Sequence, residues 1–421
     1  MNKEIKKLVM SVYTTVLITI FAAVVIFWFF SRSFATIHVV PNDATITIDN
    51  GQTTEVTNGS LRVNLTPGVH SVSISADKYI GQTKDVTFGR GFSKQINFDL
   101  KEVPSPTQIT TSGTLLAKGN DFNSAYYLGG TGKALYKIAV TLDENDIIRI
   151  KQNRPITDER LAGIEAITWS PTGELALFKK GTDAFLFDFM RYDFIHQTET
   201  LWANNVGQIA WSPDNTEIAY VYTGNGENSL IISNFTNTSI DRVADLRDYG
   251  IENPLLRWSP DSETLLLIPR NKDANTNKIY AFSVFSRKLN LITDSGNQTD
   301  SAFSPDSSKI LYSTYSKDPQ SKTPYVISVM KKDGSEKKSL DIRAEINKIG
   351  WNKDSKNIIV ANYDDATKQE VVYNFDTDQK LQSGFSISNF GELVINSLLL
   401  TDDNKIILFE TNMGIYALKV E

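Results

Sequence analysis

The chain has 421 residues, 41% apolar and 22% charged, an ordinary globular balance that is too long for one small domain and clear of disorder or collagen. It has no cysteine, which excludes disulfides, thiolate zinc sites, iron–sulfur clusters and a cysteine nucleophile. With only three histidines (His38, His70 and His196), a multi-histidine metal site or a Ser-His-Asp triad has little to build on.

From Leu8 to Ser31 no residue is charged. The run 8–30 is rich in Val, Ile, Leu, Phe and Ala, and as a helix it would span about 35 Å, enough for a hydrocarbon core of about 30 Å. Trp28 sits near its far end, where an aromatic favours the interface. Lys3, Lys6 and Lys7 precede the run with only Glu4 opposing, and Arg32 follows. This bias places the N-terminus in the cytoplasm and the remainder outside. A signal peptide cleaved after Ala35 is the competing reading, because Ser33-Phe34-Ala35 offers small residues. The apolar run is longer than the roughly 7–15 residues typical of such peptides, which favours an uncleaved anchor. Residues 1–35 carry a net +3, so with a total of −6 the rest carries −9. An acidic exterior argues against nucleic acid as a partner and against lying flat on anionic lipid.

Residues 36–101 alternate apolar and polar. Strands are expected over 36–40, 45–48, 69–75, 86–88 and 96–100, about six in all, with turn chemistry at Asn50-Gly51, Asn58-Gly59 and Pro67-Gly68. A small β-sandwich follows. Three landmarks occur in order: Pro41-Asn42-Asp43-Ala44, then Leu65-Thr66-Pro67-Gly68, then Lys78-Tyr79. Together they resemble a PEGA domain, with Pro-Asn-Asp-Ala where that family has Pro-Glu-Gly-Ala. The resemblance implies a surface-associated binding or spacer module without catalytic residues. His38 and His70 fall on its strands and read as surface or packing residues.

Residues 102–106 form a short Pro-containing linker, stiff rather than long. An internal repeat fills 107–421. Trp169-Ser170-Pro171-Thr172-Gly173 recurs as Trp211-Ser212-Pro213-Asp214-Asn215, Trp258-Ser259-Pro260-Asp261-Ser262, Phe303-Ser304-Pro305-Asp306-Ser307 and Trp351-Asn352-Lys353-Asp354-Ser355. Leu400-Thr401-Asp402-Asp403-Asn404 is a worn copy. The spacings are 42, 47, 45, 48 and 49 residues, the length of a four-stranded propeller blade. An aromatic at the end of an inner strand packs between blades, Pro stops the ladder, and Asp makes the turn. These repeats resemble those of TolB-like propellers. Residues 107–160 hold strands for one further blade. The expected fold is all-β apart from one transmembrane helix: a small sandwich followed by a seven-bladed propeller, with six blades as the alternative. The stretch Thr107–Thr111 is expected to supply the last blade's fourth strand.

Signatures of catalysis are weak. No G-x-S-x-G elbow occurs. Gly129-Gly130-Thr131-Gly132-Lys133-Ala134 reads as a hairpin turn rather than a phosphate loop. Asn374-Phe375-Asp376-Thr377-Asp378 lacks the Gly and Glu of a calcium loop. The repeated aspartates Asp214, Asp261, Asp306 and Asp354 read as structural, and the Arg191–His196 cluster as an outer-strand pattern. No enzymatic activity, cofactor or metal is expected. Residues just before the landmark aromatics should approach the central channel. The candidates for partner binding there are Glu165, Gln208, Arg257, Asp300, Lys348 and Asn396. Alternation along the strand makes Arg257 the one most prone to point into a blade interface instead. Mixed signs suit a peptide or a glycan. The expected function is therefore a membrane-tethered interaction protein that binds an envelope protein, with cell-wall glycan as the alternative.

Overall fold

In the computed structural model the chain divides into two compact units, 1–103 and 104–421. The structure describes residues 3–30, 33–49, 51–79, 81–89, 93–102, 105–119, 121–129, 134–157, 164–181, 187–196, 198–293, 296–318, 321–364, 369–378, 381–386 and 393–420.

The first unit opens with one helix, Lys3–Phe30, long and apolar enough to cross a membrane. Seven strands follow, one more than the pattern suggested. They form a three-stranded sheet, in the order Ser60–Leu65, Ser33–Val40, Ser93–Asp99, and a four-stranded sheet, in the order Gln52–Val56, Ala44–Ile48, Gly68–Ser75, Gln82–Phe88. The first and last strands run parallel, Ile37 beside Ile96. Alternate residues of both sheets meet in one core that includes Ile37, Ile46, Ile74 and Phe98. The first strand begins at Ser33, and Ala35 is fully buried in that core.

His38 is exposed, whereas His70 is buried. His70 Nδ1 lies 2.6 Å from an Asp49 carboxylate oxygen and Nε2 lies 2.8 Å from the Thr66 carbonyl. Both nitrogens face acceptors, an arrangement that favours the doubly protonated ring. The Asp49 hydrogen bond, then the Thr66 carbonyl, raises its pKa above the ordinary 6.5. The same bond, followed by the Ser71 amide, lowers Asp49 below 3.8.

In the second unit the described strands fall into seven antiparallel sets of four. The first is 114–155. The second and third are joined by one long strand, Thr198–Trp211, which pairs with Phe187–Asp193 at its start and with Ile218–Tyr222 at its end. The fourth, fifth and sixth occupy 255–291, 298–343 and 349–386. The seventh has three strands from 395–419 and takes its fourth from Thr107–Gln108, which pairs with Ala417 and Tyr416. Innermost strands touch their neighbours around the ring, the fifth meeting the sixth through Ile346–Lys348. The expected β-propeller and its closing strand are thus both present among the described residues.

Seven apolar clusters lie between adjacent blades. Second strands are buried on both faces: Leu265 and Leu267 pack toward the third blade, Leu266 and Ile268 toward the fifth. This is why they read as continuous apolar runs. The landmark aromatics sit in these interfaces, Trp211 between the second and third blades and Trp258 between the third and fourth.

The landmark turns explain the repeat. Ser259 Oγ donates to Asp261 at 2.5 Å and accepts from the Thr264 amide at 2.9 Å. The same arrangement recurs at Ser212, Ser304 and Thr401. The turns also link to one another. The Asp214 amide donates to Ser262 of the next blade, Asp261 to Ser307 and Asp306 to Ser355, each at 3.0 Å. Ser262, Ser307 and Ser355 all have positive φ, near 60°. At the closing junction Asn123 takes this role. Its amide donates to Asp402 at 2.8 Å, its Nδ2 to Asp403 at 2.7 Å, and its Oδ1 accepts from the Asp403 amide at 3.2 Å. Burial alone would raise the Asp306 carboxyl, but bonds from Ser304 and Ser308 outweigh it and bring it to about 2.

Two outcomes follow from these contacts. Asn123→Ala removes two side-chain hydrogen bonds at the closing junction, leaves the amide bond to Asp402, and places Ala at φ 53°. It is expected to lower stability by about 2–3 kcal/mol in denaturant unfolding, and a change within about 0.5 kcal/mol would refute the assignment. In the small domain, the His70 contribution is complete below pH 6.5 and is lost as pH rises through its raised folded-state value. The Asp49 contribution is present above pH 3.8 and is lost as pH falls through its depressed value. Amide exchange of Gly68–Ser75, corrected for intrinsic rates, should therefore accelerate above the His70 titration. Equal protection at about pH 6 and about pH 9 would contradict this.

Candidate functional site

The landmark turns occupy the C-terminal ends of the inner strands. Four of the six sequence candidates lie where the ladder is irregular, ahead of the landmark; Arg257 stands in an unbroken ladder next to Trp258, and Lys348 in the short helix before its strand. Glu165 is the extra residue between the paired Ile164 and Ala166, Gln208 lies in the break between Val206 and Ile209, and Asn396 is the extra residue between Ile395 and Ser397. Asp300 follows a break of the same kind, at Thr299. A bulge inserts one unpaired residue and re-aims a side chain. Such an irregularity recurs before the landmark in the second, third, fifth and seventh blades.

Arg257 does not turn into a blade interface. Its Nη2 crosses to the next inner strand and meets Asp300 at 3.1 Å, both side chains being part-exposed. The Ser301 amide also donates to Asp300, at 2.7 Å. Lys348 ends the short helix Ile346–Lys348. Its charge is the first to oppose the upward push that burial gives the Glu370 carboxyl. Asn396 is exposed, and its carbonyl accepts from Asn347 Nδ2 at 2.9 Å. Gln208 is half-buried. The Glu165 side chain lies outside the described residues. The structure thus joins Arg257 to Asp300 directly and links Asn396 to the Lys348 helix through the backbone.

Beside the Arg257–Asp300 pair, a cleft of about 500 Å³ opens between the fourth, fifth and sixth blades. Asp300 lines it, with Gln298, Arg270, Glu345 and Tyr325, which sequence reasoning missed. Glu370 was missed as well. It stands second in its strand, Gln369–Asp376, where a charge reads as exposed, yet the closed ring leaves it 9% accessible. Polar character five residues before the landmark Phe303 was the available signal for Gln298.

Other motifs resolve as turns. Gly129 pairs with Ala134 across a hairpin, and 130–133 lie outside the described residues. Asp376 and Asp378 meet Lys356 and Lys309 at 2.9 and 2.8 Å. Asp193 accepts from the Ile195 and His196 amides at 2.9 and 3.0 Å and from the exposed His196 ring. Among the described residues, no three or more His, Cys, Asp or Glu side chains are grouped to hold a metal ion.

A family model described as PD40, TolB beta propeller domain, matches residues 190–413, more than half of the chain. The chain belongs to this family of TolB β-propellers. An oligogalacturonate lyase in complex with manganese aligns at 13% identity and a TM-score of 0.52, covering 76% of this chain and 97% of that one. TolB from Acinetobacter baumannii aligns at 16% identity and a TM-score of 0.37, covering 63% of this chain and 58% of that one. A putative TolB from Agrobacterium tumefaciens aligns at 14% and 0.40, covering 72% and 99%. At these identities the likeness to the lyase is one of fold alone. No curated protein matches the sequence.

In this TolB-like propeller the landmark tryptophans are structural. Trp258 Nε1 donates to the Ala210 carbonyl of the preceding blade at 3.0 Å. Trp258→Ala removes that bond and part of an apolar interface, so unfolding should be easier by about 3 kcal/mol. Partner capture by the folded fraction should be unchanged, and a selective loss of capture at unchanged stability would place Trp258 in the binding surface.

Proposed function

We propose that this TolB-like protein is a non-enzymatic interaction protein of a prokaryotic cell envelope. Residues 8–30 tether it to the membrane with the N-terminus cytoplasmic, and the propeller binds an envelope protein on the outer side. The PEGA-like domain, residues 36–101, acts as spacer or second contact. The observation that supports the binding reading is the recurrence of bulges at Glu165, Gln208, Thr299 and Asn396, with the Arg257–Asp300 pair bridging two inner strands, and the reading places these groups at one channel mouth. Convergence of side chains distant in sequence is what makes a propeller mouth a recognition surface.

An uncleaved anchor is favoured by the position of Ala35. Cleavage after it would remove the start of a core strand together with a fully buried side chain. The orientation rests on Lys3, Lys6 and Lys7. A second reading, binding of cell-wall glycan, is favoured by the amide side chains of Asn271, Asn277, Gln298 and Asn347 along the cleft. Planar amides match sugar hydroxyls as both donors and acceptors.

Crosslinking in intact cells tests the two readings. Capture of a protein supports the first, capture of glycan alone the second, and chelator-sensitive turnover of a small substrate would overturn both. With a captured protein in hand, the double substitution Asp300→Ala with Lys348→Ala should weaken binding by more than about tenfold. Melting should be nearly unchanged, because part-exposed ion pairs add only about 0–1 kcal/mol. Full affinity in the double variant would move the contact away from this mouth.

A further inference from the structure

The cleft between the fourth, fifth and sixth blades holds hydrogen-bond acceptors that the protein itself leaves unused at Gln298 and Glu345 and only partly used at Asp300. Gln298 begins the fifth inner strand and is 1% exposed, yet its Oε1 has no hydrogen-bond partner. A buried acceptor without a donor costs about 1–3 kcal/mol, so its retention calls for an external donor. The Glu345 carboxylate lines the same cleft, and no ion pair or side-chain hydrogen bond engages it among the described residues. Asp300 completes the set. Each of its oxygens already takes one bond, from the Ser301 amide and from Arg257, and a carboxylate has room for more. Two carboxylates and an amide oxygen therefore face one space. Arg270 is the one cationic side chain lining it, and it is exposed.

This pattern selects the ligand. A phosphate or carboxylate would meet acceptors and negative charge. A primary ammonium brings three donors and a guanidinium five, with the charge that Glu345 leaves unpaired and that Asp300 shares with Arg257. We propose that this cleft is a subsite for a single cationic side chain, lysine or arginine, carried by the peptide segment of the protein partner. Gln298 Oε1 accepts from it at the buried wall and Glu345 and Asp300 supply the charge. The exposed Arg270 disfavours a second positive residue beside the first and suits an acidic neighbour. The proposal deepens the protein-partner reading and rests on it.

The test uses the full chain in lipid nanodiscs and a soluble library of capped hexapeptides, with neutral oligosaccharides as a separate arm. Retained peptides are sequenced. Enrichment of one lysine or arginine per peptide is expected. An individual retained peptide should lose at least tenfold in affinity when its cation is replaced by norleucine. Gln298→Met keeps the volume and removes the orphan acceptor. It should weaken that peptide by several-fold while thermal stability holds or rises, an outcome that a merely structural Gln298 would not give. Glu345→Gln, outside the strands, should weaken the same peptide and leave its norleucine analogue unaffected. Retention of peptides without cation preference would overturn the subsite and leave the protein-partner reading standing. Retention of oligosaccharides with no peptide would overturn both.

Discussion

The pairing of the propeller's first and last segments is the contact on which it depends. Each blade is a sheet buried on both faces, and those faces are covered by neighbouring blades. An open ring would leave Ala125, Ile138, Ile406 and Leu408, which now share one cluster, exposed at its two ends. Closure is made by few groups. Two residues, Thr107 and Gln108, pair with the last strand, and the Ile109 amide adds a bond to the Ile415 carbonyl at 2.8 Å. Gly414 has φ 119°, and a Cβ there would stand 2.1 Å from the Thr110 carbonyl, so the last hairpin accepts the incoming chain only with glycine at that point. Lys118 and Asp402 add a 2.7 Å ion pair across the same junction.

The landmark turns distribute that closure around the ring. Each Ser-x-Asp unit satisfies its own turn, then the aspartate's amide reaches into the next blade's turn. The receiving residue must place a short polar side chain from a left-handed backbone, which Ser or Asn can do at modest cost. This accounts for Ser262, Ser307 and Ser355 after the aspartates, and for Asn123 in a blade with no recognisable landmark. The repeated carboxylates are thereby engaged in hydrogen bonds that outweigh their burial, which is why they are ionised structural groups rather than acid–base candidates.

Much of this fold was legible because the physics is repeated. A 42–49-residue period marks the blades locally, with aromatic, proline and aspartate together in three of them and part of that set in three more, and the deficit of one strand in the last blade pointed to the segment before the first. What stayed hidden is not local. The continuous strand Thr198–Trp211 carries no turn signal where one blade ends and the next begins, yet it serves both. In the small domain, parallel pairing of the first and last strands depends on a core that no single segment reveals. At the site, spacing from the aromatics found Asp300, and the reach of Arg257 across to it could not be read from alternation. Gln298, Glu345 and Glu370 belong to segments outside the landmark pattern. Their importance arises from burial, and burial of a polar residue is created by the neighbours rather than by its own sequence context.

The two ends of the inner strands consequently do different work. At the landmark end, polar groups are committed to holding blades together. At the other end, bulges loosen the ladder and re-aim side chains outward. The cleft there draws Arg270 from the fourth blade, Gln298 and Asp300 from the fifth and Glu345 from the connection to the sixth. Anything bound in it spans blades that otherwise cohere through apolar faces. A ligand of that kind acts as one more contact between blades, and mass action adds RT ln(1 + [L]/Kd) to the stability of the closed ring, about 2.7 kcal/mol at a hundredfold excess over Kd. The gain acts against global unfolding and against opening at the junctions that line the cleft, and not against opening at the closing junction, which leaves the cleft intact.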